Sequence, residues 1–318
     1  MHLSKTIKNL NLICACIFIG GLAFLSNDKK ALANEFKIGE IFEGKVILKN
    51  SSLKSVVFLP PGIYRVVAYI EHRNNNNNAL AYLGLAKLNK NIVETAILVN
   101  YSIDLEQYGW QESKLCDRKN LHFIDTKANY NHEQDCYGLN HYRPTYLGSK
   151  NRFRRSFGEY LKKEGISQPQ KFLTPFFRFA DSSSVIEISY FFNPEAYGFG
   201  KQERTTWNSS SWHPNVIDLY PSKLAFKESV LDWTKAYYPQ IKKAAFNKID
   251  PKFNMADVNF KKFDDSNTVA IKDDEAVCDS AVNRTELQWS IKNTKDVQIA
   301  KKLGYSVLDC IRIMTKSK

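Results

Sequence analysis

"ALAYLGLAKLNKNIVETAILVNY", from Ala79 to Tyr101, decides how the first part of this chain folds. Two apolar runs flank the polar triplet Asn89-Lys90-Asn91. Such runs joined by a short polar loop predict a β-hairpin. The same reading extends upstream. "IFEGKVIL" (41–48) alternates apolar and polar residues, and "SVVFLPPGIYRVVAYI" (55–70) is two β-rich runs around Pro60-Pro61-Gly62. Proline presets φ at the second turn position and glycine supplies positive φ at the third, which suits a type II turn. Residues 40–100 are therefore expected to form three or four antiparallel strands with one buried face.

Working outward, residues 109–147 are polar and rich in aromatics, and predict strand edges and loops. "NRFRRSFGEYLKKEG" (151–165) is an amphipathic helix with Phe153, Phe157, Tyr160 and Leu161 on one face. Gly165 is its stop. "PFFRFADSSSVIEISYFFNPEAYG" (175–198) reads as two strands around a small polar loop. A long helix is expected over 222–246, with Ser222 as N-cap and Pro239 kinking or dividing it. The polar stretch 247–274 reads as a linker, and 275–318 as a small module of short helices. The expected fold is α+β. It has an N-terminal antiparallel sheet, a mixed α/β centre with one long helix, and a disulfide-stapled helical tail. Residues 34–246 would form the main domain.

The first 33 residues have a basic start (Lys5, Lys8), an apolar run from Leu12 to Leu25, and Ala31-Leu32-Ala33. That order describes a cleaved secretory signal peptide. Cleavage nearer Ala23 is the alternative. The apolar run is short of the about 20 residues a membrane helix needs, and the mature chain is expected to have no transmembrane span. Periplasmic or secreted localisation follows. Four cysteines then remain: Cys116, Cys136, Cys278 and Cys310. An even count in an exported chain favours disulfides. The local pairing, Cys116–Cys136 and Cys278–Cys310, keeps each bridge within its own segment. No C-x-x-C or H-x-x-x-H spacing occurs, so neither a metal site nor a redox motif is expected. No cofactor is expected either.

The formal net charge is +12, and losing Lys5, Lys8, Lys29, Lys30 and Asp28 with the leader makes it +9. A basic exported protein meets anionic partners such as lipid headgroups, lipopolysaccharide or cell-wall polymer, not nucleic acid; the plainer reading is a solvated surface of a chain rich in lysine and asparagine throughout. The basic residues are scattered except in "KNRFRR" (150–155), which makes Arg152, Arg154 and Arg155 candidate ligand-binding residues. "NNNNN" (74–78) reads as a low-complexity loop.

Four histidines are candidates for chemistry: His122, His132, His141 and His213. Three of them lie near one expected bridged loop with Asp117, Asp125 and Asp135, where a metal or acid–base site could be assembled. Their plainer reading is an exposed polar loop. Trp207 and Trp212 bracket "NSSS" and are candidates for stacking on sugars, or for anchoring their loop on the core. Glu187 and Glu195 flank "ISYFFNP" as a conceivable glycosidase pair, though any strand supplies such spacing. No nucleophile elbow, HExxH or phosphate loop is present.

Cys278, Ala281, Trp289, Ala300, Lys301, Gly304, Asp309 and Cys310 resemble a small disulfide-closed helical module found at the ends of exported proteobacterial proteins, sometimes near Sel1-like repeats. Leu303 and Tyr305 stand where that pattern carries Arg and Leu. "LPPGIYRV", "CDRKNLHF", "DCYGLNHYR", "YFFNPEAYG" and "SSSWHP" resemble an uncharacterised family of exported proteobacterial proteins. The resemblance implies export and a shared fold, and brings no catalytic residues. The expected function is non-catalytic binding of an anionic envelope component or an envelope protein. The alternative is an envelope hydrolase acting on a glycan or ester, and a third class is an assembly factor with a protein partner. Oligomeric state is not legible.

Overall fold

A computed structural model describes residues 35–260, apart from 75, 106–108, 145–148, 203–204 and 209, together with 282–285, 288–291 and Cys310. All belong to the second of two units into which the chain divides, Asn34–Lys318. The expected leader, 1–33, lies outside the described residues, as does Cys278.

Strands β1 (Ile41–Phe42), β4 (Tyr64–Arg73), β5 (Ala79–Asn89), β6 (Ile92–Ser102), β7 (Phe123–Tyr130), β8 (Glu133–Tyr142), β9 (Phe172–Ala180) and β10 (Val185–Phe192) form one eight-stranded sheet. Its order is β1-β4-β5-β6-β10-β9-β8-β7, with every neighbour antiparallel. The β5–β6 hairpin forms where the opening stretch placed it, and β9–β10 forms around the expected polar loop. β2 (Lys45–Ile47) and β3 (Val56–Phe58) make a separate small sheet. The run before Pro60 thus pairs with β2 rather than with the run after it. Gly62 has the positive φ expected of it, +120°.

The structure differs from the expectation of one buried face. Both faces of the sheet are covered, which is why β5 reads as a nearly continuous apolar run rather than an alternation. On one face lies α2 (Pro221–Ala245), with β2–β3 and residues 253–260. That layer shares one core with Leu83, Ile97, Ile188, Tyr190 and Phe177 of the sheet. On the other lies α1 (Arg152–Lys163), whose Phe153, Phe157 and Leu161 pack on Ala68, Ala86, Ala96 and Phe191. Gly84 admits this approach: a Cβ there would stand 3.0 Å from Phe153 and 3.1 Å from Phe157.

α1 starts at an Asn151 side-chain cap and stops before Gly165. α2 begins one residue earlier than expected, with Pro221 in the first turn and Ser222 inside the helix, so Ser222 is not the cap. It also runs unbroken through Pro239. Pro239 faces solvent, where water can satisfy the carbonyl that proline leaves unbonded, while Trp233, Ile241 and Ala244 hold the buried side. Residues 253–260, read above as part of a linker, pack on the core through Met255 and Val258. The Trp233 indole donates to the Ala256 carbonyl at 2.8 Å.

Of the tail, the described residues are a hairpin, β11 (Val282–Thr285) with β12 (Gln288–Ile291), and Cys310, which is helical, buried and disulfide-bonded. The hairpin falls between the first and second of the expected short helices and draws on Val282, Thr285, Trp289 and Ile291, residue types that favour strands. The remainder of the expected helices lies outside the described residues. Among the described residues no helix is long and apolar enough to cross a membrane.

Candidate functional site

Directly opposite residues in antiparallel strands share a face. Tyr82, Asn100, Glu187, Arg178 and Cys136 therefore form one row across five strands on the α1 face. At one end, Tyr82 stacks on His72 and packs against Phe153 of α1. Burial raises its hydroxyl pKa, with Glu187 adding to the rise and Arg154 and Arg178 opposing it. At the other end, Cys136 is bridged to Cys116 as expected.

That bridge holds a strap, residues 109–116, over the row. Gln134 is its main anchor and is 1% exposed. Its amide nitrogen donates to the Trp110 and Gln111 carbonyls at 2.9 and 2.8 Å, and its oxygen accepts from Arg178 Nε at 2.8 Å. Arg178 also donates to Glu187 at 3.1 Å. The strap turns at Gly109, where φ is +73° and a Cβ would stand 2.2 Å from the Asn131 carbonyl oxygen. Only glycine fits that turn without displacing the backbone.

Beneath the strap is a cavity of about 340 Å³. Asn74, Asn76 and Asn78 of the β4–β5 turn line it, with Asn100, Trp110, Ser113 and Arg178. The asparagine run is thus a wall of the cavity. Asn74 shapes the turn itself, its side-chain oxygen accepting from the backbone of Asn76 and Asn78. Trp110 is 7% exposed; among the described residues its indole N–H has no acceptor, and the buried Asn100 side-chain oxygen has no donor.

The residues expected to carry chemistry gather on the opposite face. His122, His141 and His213 come together with Trp207. His141 lies 5.5 Å from His122 and 5.8 Å from His213 between ring centroids, and stacks on Trp207 at 4.9 Å. His141 Nε2 stands 3.1 Å from the Trp207 carbonyl, which can only accept, so Nε2 carries the proton. Burial pushes the pKa values of His122 and His141 down to about 3, aided by Lys227 at His122 and by His122 itself at His141. Burial also lowers His213.

The remaining candidates lie apart from that cluster. His132 stands on the exposed β7–β8 turn. Asp135 is engaged by Tyr238 and Lys242 of α2, Asp125 by Lys127, and Asp117 by Asn129. Among the described residues no group of His, Cys, Asp and Glu could hold a metal ion. Trp212 is 1% exposed and packs edge-on against Phe199 and Phe226, so it anchors its loop. Glu187 pairs with Arg178, whereas Glu195 accepts from the Gln202 backbone. Arg152, Arg154 and Arg155 are exposed on the first turn of α1.

Fold and site together define an α+β protein, a large antiparallel sheet with a helix on each face and a polar cavity under a disulfide-held strap. No family model, curated protein or solved structure matches the chain.

Proposed function

We propose that this is an exported envelope protein that binds an anionic component of the cell envelope without catalysing a reaction. The observation that carries the reading is the exposed basic surface of α1. Arg152, Arg154 and Arg155 follow Lys150, the first turn holds no acidic residue, and among the described residues none of the three arginines is in an ion pair. Arg154 lies over the Tyr142 ring, and Arg155 donates to the Ser149 carbonyl, which leaves their charge uncancelled. Guanidinium groups so placed suit phosphate or carboxylate recognition.

Two features support export. The Cys116–Cys136 bridge belongs to an oxidising compartment. The residues that follow the expected cleavage point are built into the fold, as a mature N-terminus would be: Glu35 accepts from the Tyr101 hydroxyl at 2.7 Å, and Phe36 is buried. Binding is favoured over hydrolysis because the clustered imidazoles are engaged by aromatic rings and a backbone carbonyl and are held neutral by burial.

The test is co-sedimentation of the mature protein with vesicles containing anionic lipid and with purified acidic wall polymer, at two salt concentrations. Salt-sensitive binding that falls when Arg152, Arg154 and Arg155 are together changed to Gln supports the reading. Equal binding by the triple variant overturns it.

A further inference from the structure

We propose that the cavity under the 109–116 strap binds an uncharged polyhydroxylated ligand, a sugar ring, at a site separate from the α1 arginines. The inference does not rest on the anion-binding reading. It starts from two buried atoms of opposite polarity in one cavity. The Trp110 indole N–H needs an acceptor, and the Asn100 side-chain oxygen needs a donor. Leaving such atoms unpaired costs about 1–3 kcal/mol each. A hydroxyl both donates and accepts, so a ligand carrying several can answer both atoms at once.

The rest of the lining has the same character. Asn76 and Asn78 bring amides able to donate and accept, and Asn74, whose oxygen is taken by the turn, keeps its amide nitrogen as a donor. Arg178 is committed to Gln134 and Glu187, and the other charged lining residues, Glu112 and Lys114, stand exposed on the strap. The inner cation, Arg178, already has its carboxylate, and Lys114 is open to water, so a phosphate or carboxylate gains little here, whereas a neutral polyol needs no cation. The volume, about 340 Å³, is at the small end of ligand pockets, which run from about 300 to 1,000 Å³. The site is also preformed, since Gln134, the disulfide and Gly109 fix the strap that carries Trp110. A rigid site keeps the ordering cost of binding low.

The experiment is a titration of the mature, disulfide-intact protein followed through the Trp110 indole N–H resonance, assigned with Trp110→Phe. The probes are glucose, N-acetylglucosamine and maltose, with inorganic phosphate and glucuronate as charged counterparts. The expected result is a saturable shift with a neutral sugar and little with phosphate. Asn100→Leu should weaken sugar binding about tenfold, the loss of roughly one hydrogen bond to a polar ligand. The Arg152, Arg154 and Arg155 triple variant should bind sugar unchanged, so this proposal and the preceding one fail independently. No shift with any sugar, with the indole proton showing contact to water alone, overturns the inference. A response to phosphate that matches or exceeds that to the sugars overturns it as well.

Discussion

Replacing His141 with Gln should flatten the acid side of the stability curve. His141 and His122 are buried, and their native pKa values are lowered to about 3, while an imidazole in the unfolded chain titrates near 6.5. Below pH 6.5 the unfolded state takes up a proton at each site that the native state refuses. Stability is therefore complete above that pH and is lost as pH falls towards 3. From pH 7 to pH 5 the loss is about 2 kcal/mol per imidazole, ~4 kcal/mol for the two. Glutamine keeps an N–H for the Trp207 carbonyl but does not titrate. Urea unfolding of both proteins at half-unit steps from pH 7 to 5 reads the difference. The variant should lose about 2 kcal/mol less than the parent over that interval, whatever its stability at pH 7. Carboxylates contribute equally to both curves and cancel. Parallel curves would refute the reasoning, because they would mean that His141 is protonated as readily in the folded protein as in the unfolded one.

Two further outcomes follow from the strap. Gly109→Ala meets the Asn131 carbonyl and forces a side chain onto positive φ; it should cost about 1–3 kcal/mol, measured as a lowered urea midpoint with unchanged slope. Replacing Cys116 and Cys136 together with Ser opens a bridge of sequence separation 20 and should cost about 3 kcal/mol. In that variant the Trp110 fluorescence, isolated by comparison with Trp110→Phe, should move towards that of a water-exposed indole. An unshifted emission would show that the hydrogen bonds to Gln134, Asn129 and Asn131 hold the strap without the bridge.

Local pattern carried much of the fold. The 79–101 hairpin, the 151–165 helix and the strand pair around Ser182–Ser184 were legible because period, turn residues and caps all act within a few residues. What lay beyond local reach was how the strands join. Nothing in "IVETAILVNY" says that β6 takes β10 as its second neighbour, or that α1 and α2 cover opposite faces. Pro239 was misleading because its effect depends on which side of the helix meets water. The site shows the same limit. Asn74 to Asn78 looked like filler because a turn's composition does not reveal what it borders. His141 and His213 lie far apart in sequence and meet only through the sheet. Trp110 carried one available signal: a large apolar side chain amid the polar "GWQESK" calls for a partner on the core.

The order of the strands also sets a timetable. β4, β5 and β6 follow one another as a meander, and β7 to β10 form a second; the two meet only where β6 pairs with β10, from Thr95↔Phe192 to Tyr101↔Ile186. A chain emerging N-terminus first completes the first meander long before its partner strand exists. Until Phe192 is available, β6 is an open apolar edge, able to pair with any extended strand it meets. The seam at the middle of the finished sheet is thus the last part to close, and the place where this protein is most exposed to association with copies of itself while it is being made.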